Sequence, residues 1–262
     1  MGSAEARSFR ATVEYDGTAY FGFQRQRRGP DRVGVSIQEE LEEALGRLAG
    51  HPIRVTGAGR TDTGVHALGQ VIGFTIEWPQ RRGDAALLRA LNASLPPDIA
   101  LSTLAEAPPG FHPRFDARRR TYEYRVLNAP VRRPLLRQRA WHVVVTLDEA
   151  QMNAAAVLLV GTRDFATFGR PPVGDNAVRT VYSASWRREG EMLVFRVGAN
   201  AFLYRMVRSL VGSLRKVGDG SWSVDDFAAA LAARDRQRSA SAAPAHGLYL
   251  VSVEYDTSDE YE

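Results

Sequence analysis

The chain has 262 residues and a mass of 28.9 kDa, with 44% hydrophobic, 24% charged and 9% aromatic residues. This is ordinary globular composition, and it excludes a wholly disordered chain, a collagen and a disulfide scaffold. No apolar run approaches the roughly 20 residues of a membrane span, and the absence of cysteine excludes thiolate nucleophiles and thiol-ligated metals. We therefore expect a cytoplasmic protein.

The charge is unevenly composed and unevenly distributed. The formal net charge is +4, and Lys216 is the only lysine, so 33 of the 34 basic residues are arginine. The last nine residues carry five acids and no base, which leaves 34 bases against 25 acids, or +9, in the rest of the chain. Arginine forks onto phosphate and stacks on bases, so this bias suits nucleic-acid binding. GC-rich codon usage produces the same bias, and composition alone does not separate the two explanations.

Strands and helices alternate along the first half of the chain. Residues 10–15 alternate apolar and polar side chains and run into Asp16-Gly17, which predicts a strand and a turn. Ser36 and Glu39 predict a capping box that opens a helix with apolar residues at 37, 41, 44, 45 and 48. Short strands are predicted over 53–55 and 71–76, and a helix over 85–95 that ends at two prolines.

The second half repeats this character without a residue-level repeat. The pattern predicts a strand over 121–127, a helix over 148–160, a hairpin from 180–186 and 192–197, helices over 202–217 and 224–233, and a strand over 248–255. The arginine- and proline-containing stretch 128–139 is the best candidate for a domain connection. We therefore predict two α+β domains, 1–128, which carries a glycine-rich loop that contains Asp62, and 129–262, which ends in an acidic tail.

Several chemistries lack their sequence signals. The five histidines are widely separated, which disfavours a zinc site. The chain contains no Walker motif, no dinucleotide-binding glycine pattern and no Gly-x-Ser-x-Gly elbow. We accordingly expect no cofactor and no metal.

One glycine-rich segment stands out, GRTDTGVHA over residues 59–67. Its glycines allow tight turns and close approach to a ligand, and Arg60 and Asp62, two residues apart, project to the same side of an extended segment. Both side chains are then available to one cleft. From the pattern alone, a solvated loop with a local ion pair is an equally open interpretation.

Eight segments are distinctive, namely EYDGT (14–18), GFQRQ (22–26), SIQEELEEAL (36–45), GRTDTGVHALGQV (59–71), FHPRF (111–115), RRRTYEY (118–124), NAFLYRMVRSLVGSL (200–214) and APAHGLYLVSVEY (243–255). Taken together and in this order, they resemble the bacterial tRNA pseudouridine synthase A family over nearly the whole chain. The resemblance implies two similar lobes, each a mainly antiparallel sheet backed by helices, with the active site in the cleft between them.

The resemblance also assigns roles to individual residues. It places the catalytic aspartate at Asp62, the active-site tyrosine at Tyr122, and the arginine that pairs with the catalytic carboxylate at Arg208. Arg60 matches the arginine implicated in displacing the target base, and Leu248 matches an apolar residue that lines the pocket. Burial raises the pKa of a carboxyl group, and a neighbouring arginine offsets that effect by favouring the charged form.

Two positions depart from the family pattern. Many members have Arg-Arg directly before the tyrosine, where this chain has Thr121, which puts one phosphate contact in doubt. Many have alanine after the aspartate, where this chain has Thr63, and we expect no change of chemistry from that small residue.

The implied reaction converts uridine to pseudouridine at positions 38, 39 and 40 of the tRNA anticodon stem-loop, by a homodimer with the tRNA lying across both subunits. The target base must be flipped out of its stack, which costs a few kcal/mol. Phosphate contacts are expected from arginine clusters, namely Arg25, Arg27 and Arg28, then Arg118, Arg119 and Arg120, then Arg132 and Arg133. Two alternatives stay open: a catalytically silent tRNA-binding protein or RNA chaperone of the same fold, and an isomerase that acts on another RNA.

Overall fold

The computed structural model describes residues 6–26, 34–79 and 82–256. Within these ranges the chain forms ten strands and five α-helices. The strands are β1 (Ala6–Tyr15), β2 (Thr56–Gly57), β3 (His66–Glu77), β4 (Ile99–Glu106), β5 (Arg119–Asn128), β6 (Trp141–Val143), β7 (Gly161–Asp164), β8 (Val178–Glu189), β9 (Met192–Ala199) and β10 (Leu248–Glu254). The helices are α1 (Ile37–Ala49), α2 (Asp84–Ser94), α3 (Glu149–Val157), α4 (Met206–Gly218) and α5 (Val224–Ala233).

The chain divides into two compact units. Described residues up to Arg118 and from Leu250 onward form the first unit, and Arg119–Tyr249 form the second. The sequence-based boundary at residue 128 lies at the end of β5, whereas the units divide before β5 begins.

In the first unit β1 is central, and it pairs antiparallel with β3 on one side and with β4 on the other. Helices α1 and α2 pack against each other and against this sheet. The alternation of β1 buries Phe9, Val13 and Tyr15, and Phe9 stacks on Phe74 of β3 with ring centroids 5.8 Å apart. Each fully buried side chain of this size contributes about 1.5–3 kcal/mol, so the period-two pattern supplies the core of this unit.

In the second unit β9 lies between β5 and β8, and both pairings are antiparallel. β7 adds to the edge of β8, and the short β6 pairs with β5 in parallel. Helices α3, α4 and α5 contact one another, and α3 packs on β8. Phe168 stacks on Phe227 of α5 in the core of this unit, with ring centroids 5.6 Å apart.

Mostly antiparallel strands with segregated helices make this an α+β protein, which confirms the predicted fold class. The capping box of α1 is also confirmed, because Ser36 accepts from the Glu39 amide while the Glu39 carboxylate accepts from the Ser36 amide. In the segment predicted as a helix over 202–217, the apolar residues at 203, 206, 207, 210, 211, 214 and 217 are all buried. No helix in the part of the chain that the structure describes is long and apolar enough to cross a membrane.

The strand predicted over 53–55 is wrong. Ile53 and Val55 are buried, as their pattern indicated, but side chains of α1 satisfy the backbone of Val55. The Val55 amide donates to Glu42 Oε1 at 3.1 Å, and Gln38 Nε2 donates to the Val55 carbonyl at 3.0 Å. Backbone groups paired in this way need no partner strand.

Two predicted helices are shorter than their patterns. Helix α3 starts after its Asp148 cap as predicted but ends at Val157, and the chain then tightens through bonds to carbonyls three residues back, including Val160 to Val157. Helix α4 begins at Met206 rather than Phe202 because Arg205 adopts a left-handed backbone, with φ 60°. A non-glycine residue there costs about 1–2 kcal/mol.

Candidate active site

Asp62 lies in the Asp62 loop, which we define as residues 58–65 between β2 and β3. Strand β3 anchors the start of this loop: the Ala58 amide donates to the Val71 carbonyl at 2.8 Å. The fully buried side chain of Gln70 then pairs with both backbone groups of Gly59, donating to its carbonyl at 2.8 Å and accepting from its amide at 3.3 Å. A buried amide that satisfies two backbone groups fixes the path of the chain toward Asp62.

The segment that follows β1 anchors the middle of the loop through Thr61. The hydroxyl groups of Tyr15 and Thr61 are 2.7 Å apart in a buried hydrogen bond, and the Phe23 amide donates to the Thr61 carbonyl at 3.1 Å. Gly22 has φ +81°, and a Cβ at that position would clash with the Thr61 carbonyl oxygen. Only glycine allows both this backbone conformation and this close approach.

A tight turn follows the aspartate. The Val65 amide donates to the Asp62 carbonyl at 3.1 Å, and Gly64 occupies the turn with φ +76°. Gly17 packs so closely on the Val65 carbonyl that a Cβ would not fit, and its amide donates to Nδ1 of buried His66 at 3.1 Å. Thus both ends of the loop and its centre are tied to the rest of the first unit.

Burial alternates along the loop, as expected of an extended segment. Thr61 is buried, Arg60 is exposed and Asp62 is half-buried. Because Thr61 points toward Tyr15, its two neighbours project away from the core. The backbone around Asp62 is therefore held by hydrogen bonds on both sides, and Asp62 itself is only half-buried.

The second unit holds Tyr122 and Leu248. Tyr122 lies on β5 opposite Val197 of β9 and is 8% exposed. Its ring meets Phe202 edge to face, with centroids 5.0 Å apart and planes at 83°. Leu248, the first residue of β10, is 6% exposed. Tyr124 and Val126, at the next alternate positions of β5, are also buried, so the three side chains share one buried face.

Arg208 lies in the first turn of α4 and is clamped to the segment before β10. Its Nε donates to the Ala243 carbonyl at 2.7 Å, and its own carbonyl accepts from the Ala243 amide at 2.9 Å. Tyr124 supports the same segment by donating its hydroxyl to the Pro244 carbonyl at 2.8 Å, and a Cβ on Gly247 would lie 2.7 Å from the Tyr124 ring. These contacts fix one side of the Arg208 guanidinium.

The charge of Arg208 acts on two neighbouring titratable groups. Burial raises the pKa of the Tyr124 hydroxyl far above its usual value, and the positive charge of Arg208 opposes that shift in part. Burial lowers the pKa of His246, against a hydrogen bond to the Ala140 backbone, and the charge of Arg208 lowers it further. Both residues are therefore neutral at pH 7, which leaves Arg208 as the charged member of this group.

The predicted phosphate-binding arginines differ in their surroundings. Arg25 lies 3.7 Å from Glu39 and from Glu42, Arg118 pairs with Asp256 at 2.7 Å, and Arg133 pairs with Glu191 at 2.8 Å.

Two further members bond to neutral groups: Arg119 donates to the Ser183 hydroxyl at 2.9 Å and Arg120 to the Asn200 carbonyl at 2.8 Å. Arg132 is exposed, and Arg27 and Arg28 lie outside the described residues. Thr121, where many family members have arginine, is 2% exposed. Most of the described arginines in these clusters therefore have structural partners.

Sequence reasoning missed the residues that hold the site in place. Tyr15, Gly22 and Gln70 anchor the Asp62 loop, and Ala243 clamps Arg208. All four residues lie in segments that the resemblance matched, namely 14–18, 22–26, 59–71 and 243–255, and this match was the available signal. The residues that they contact lie elsewhere in the sequence, so the pattern did not reveal the anchoring. Within the described ranges, no group of three or more His, Asp or Glu side chains is placed to hold a metal ion.

Comparison with known proteins adds an independent observation. A family model described as tRNA pseudouridine synthase matches residues 11–116 and 155–256. The chain is 44% identical to the tRNA pseudouridine synthase A of Aeromonas hydrophila, covering 93% of this chain and 88% of that protein. It is 42% identical to the protein of that name from Sinorhizobium fredii, over 94% and 99%, and 43% identical to that from Caulobacter vibrioides, over 94% and 98%.

Proposed function

This chain belongs to the tRNA pseudouridine synthase A family, an isomerase family that forms pseudouridine in tRNA, and we propose that it acts in the anticodon stem-loop at positions 38, 39 and 40. The observation that carries this proposal is Asp62, which stands in the matched GRTD segment on a loop whose start, centre and end are all anchored. A fixed backbone that holds the carboxylate in one place is what positioned catalysis requires.

The reaction rearranges bonds within one nucleotide. The C1′–N1 bond of uridine breaks, the uracil turns, and a C1′–C5 bond forms; C5 loses its hydrogen to solvent as a proton and N1 gains one. We assign Asp62 as the nucleophile or base that starts this sequence. The target base must leave its stack first, and stacking and hydrogen bonds in the pocket offset that cost.

The other residues take complementary roles in this proposal. Tyr122 supplies a ring against which the flipped base stacks and a hydroxyl that moves a proton. Arg208 takes the role of the arginine that pairs with the catalytic carboxylate, and its fixed clamp to Ala243 supports a positioned guanidinium. Arg60, which is exposed, fills the space that the base vacates, and Leu248 adds apolar lining.

The test uses tRNA transcript labelled with tritium at uridine C5, because formation of the C1′–C5 bond expels that hydrogen into water. Wild type should release tritium without added nucleotide or metal. Asp62→Ala should release none above background, a loss of at least about 10³-fold, while its tRNA affinity stays within about twofold since binding depends on the arginine surface.

Thr63→Ala is the matched control, since Thr63 is the exposed neighbour in the same turn and many family members have alanine there. It should release tritium at the wild-type rate. Loss of tritium release in both variants would indicate that a substitution in this loop abolishes activity by disturbing the loop, and not by removing the Asp62 carboxylate. Release by Asp62→Ala would exclude Asp62 as the catalytic residue, and wild-type binding without release would favour a silent tRNA binder.

Mapping of pseudouridine across total RNA decides the target positions. Modification confined to the anticodon arm supports the proposal, and modification of another RNA would favour an isomerase with a different substrate. Homodimerisation stays a prediction from the resemblance, and a cytoplasmic location stays a prediction from the composition.

A further inference from the structure

Three arginines of the second unit converge where α4 begins, and no predicted phosphate cluster included them. We call Arg170, Arg205 and Arg236 the arginine trio. Arg170 follows β7, Arg205 is the residue that caps α4, and Arg236 follows α5. They come from separate parts of the sequence, so only the fold brings them together.

Backbone contacts hold the first two members side by side. Arg170 and Tyr204 form an isolated β-bridge in which the Tyr204 amide donates to the Arg170 carbonyl at 2.9 Å. A Cβ on Gly169 would lie 3.0 Å from the Tyr204 carbonyl oxygen, so glycine permits this close approach. Arg205 comes directly after Tyr204, with its guanidinium 5.2 Å from the Tyr204 ring centroid.

Arg236 joins them through two hydrogen bonds. Its guanidinium donates to the Thr167 carbonyl at 2.8 Å and to the hydroxyl of Ser209, in the first turn of α4, at 3.0 Å. Burial lowers the pKa of Arg236, and the positive charges of Arg170 and Arg205 lower it further. The guanidinium of Arg236 is thus close enough to those of Arg170 and Arg205 to be repelled by both.

Within the described ranges, no carboxylate is paired with a guanidinium of the trio, and the first turn of α4 has no acidic residue. The nearby Asp164 lies 3.6 Å from Arg234, and Asp235 accepts from the Gln237 amide. Arg25, Arg118 and Arg133 have carboxylate partners, so the trio differs from those predicted arginines.

Like charges held together without a counterion favour an anion, and the start of a helix adds partial positive charge to the same place. Arg205, the member of the trio that caps α4, lies three residues before Arg208 of the same helix. We infer that the arginine trio binds a backbone phosphodiester of the tRNA substrate. This inference rests on the proposed function, because the tRNA is the substrate named there.

The experiment measures tRNA affinity as a function of salt for wild type, Arg170→Ala, Arg205→Ala and the double variant. Both substituted side chains are exposed and their removal leaves the backbone bridge in place. Each substitution should weaken binding about five- to tenfold and reduce the slope of log affinity against log salt by about one. Arg236 is left intact because its hydrogen bonds also hold the fold together.

Arg187→Ala is the matched control, since Arg187 is an exposed arginine of the same unit that pairs with Glu189. It removes the same formal charge and should leave the salt slope unchanged. An unchanged slope in Arg170→Ala and Arg205→Ala, or an equal change in Arg187→Ala, would overturn the inference.

Inorganic phosphate separates a free anion from the RNA backbone. If millimolar phosphate stabilises wild type but not the double variant, and the tRNA slopes are equal, the trio binds free phosphate and the inference is wrong. Tritium release by wild type distinguishes the two proposals. If wild type releases tritium but the salt slopes of the variants equal that of wild type, only this inference fails. If wild type neither releases tritium nor binds tRNA, the proposed function fails and this inference fails with it.

Discussion

Tyr122 combines a buried ring with a hydroxyl, and the two parts contribute differently. The ring packs edge to face on Phe202 and is 8% exposed, so it belongs to the packing of the second unit. The hydroxyl is the part that is able to exchange a proton. Replacing tyrosine by phenylalanine separates these contributions because it keeps the ring and removes only the oxygen.

Tyr122→Phe should keep tRNA affinity within about twofold of wild type and reduce the rate of tritium release about 10²- to 10⁴-fold, the usual contribution of a positioned acid or base. Tyr182→Phe is the control, because Tyr182 is a half-exposed tyrosine of β8 in the same unit. Equal single-turnover rates for Tyr122→Phe and wild type would remove the proton-transfer role from Tyr122.

At the scale of elements, the Asp62 loop depends on the segment between β1 and α1. Gly22 combines a positive φ with a close approach to the Thr61 carbonyl, and the amide of its neighbour Phe23 bonds to the same carbonyl. The Gly22 carbonyl in turn accepts from the Ile37 amide at the start of α1. One glycine therefore links the loop that carries Asp62 to a helix of the core.

Gly22→Ala should destabilise the first unit by more than the roughly 1–2 kcal/mol of a left-handed alanine, and it should lower tritium release about 10²-fold by displacing Asp62. Gly50→Ala isolates the backbone effect, because Gly50 has φ +77° and no atom within 4 Å of an added Cβ. Gly50→Ala should lower the free energy of unfolding and leave the rate of tritium release unchanged. Urea unfolding and tritium release of both variants provide the comparison, and equal losses of activity would contradict the role given to Gly22.

Elements whose signals lie in consecutive residues were predictable. The capping box of α1 and the bounds of α5 follow from side chains three and four residues apart, which meet as soon as a helix forms. The strand predicted over 53–55 was wrong because Gln38 and Glu42, more than ten residues away, satisfy the backbone of Val55. Likewise, nothing adjacent in sequence indicates that Arg205 stops α4 from starting earlier.

At the scale of the whole molecule, His246 makes stability depend on pH. Burial lowers its pKa below the usual 6.5, so the unfolded chain binds a proton more readily than the folded one. The contribution of His246 to the free energy of unfolding is fully present above pH 6.5 and is lost as the pH falls below 6.5. Arg208 and the Ala140 backbone are the charged and hydrogen-bonding groups that face His246.

Urea unfolding at pH 7.5 and at pH 5.5 should show lower stability at the acidic pH, and His246→Gln should reduce that difference. Tryptophan fluorescence suits the measurement because Trp141, Trp186 and Trp222 lie in the second unit with His246. The other titrating groups contribute equally to the stability of wild type and of His246→Gln, so their contribution cancels when the two proteins are compared. An identical pH dependence in wild type and His246→Gln would show that His246 binds its proton equally well in the folded and the unfolded state.

The sequence by itself determined the fold class, most helices and strands, the family and the position of Asp62 within its signature. These follow from local periodicity, from caps and from runs of consecutive residues that need no knowledge of distant partners. The tertiary structure alone decided which groups hold Asp62 and Arg208 in place, which arginines have carboxylate partners, and that Arg170, Arg205 and Arg236 converge. Those facts depend on contacts between residues tens of positions apart, which form only when the chain folds and burial makes each polar group find a partner.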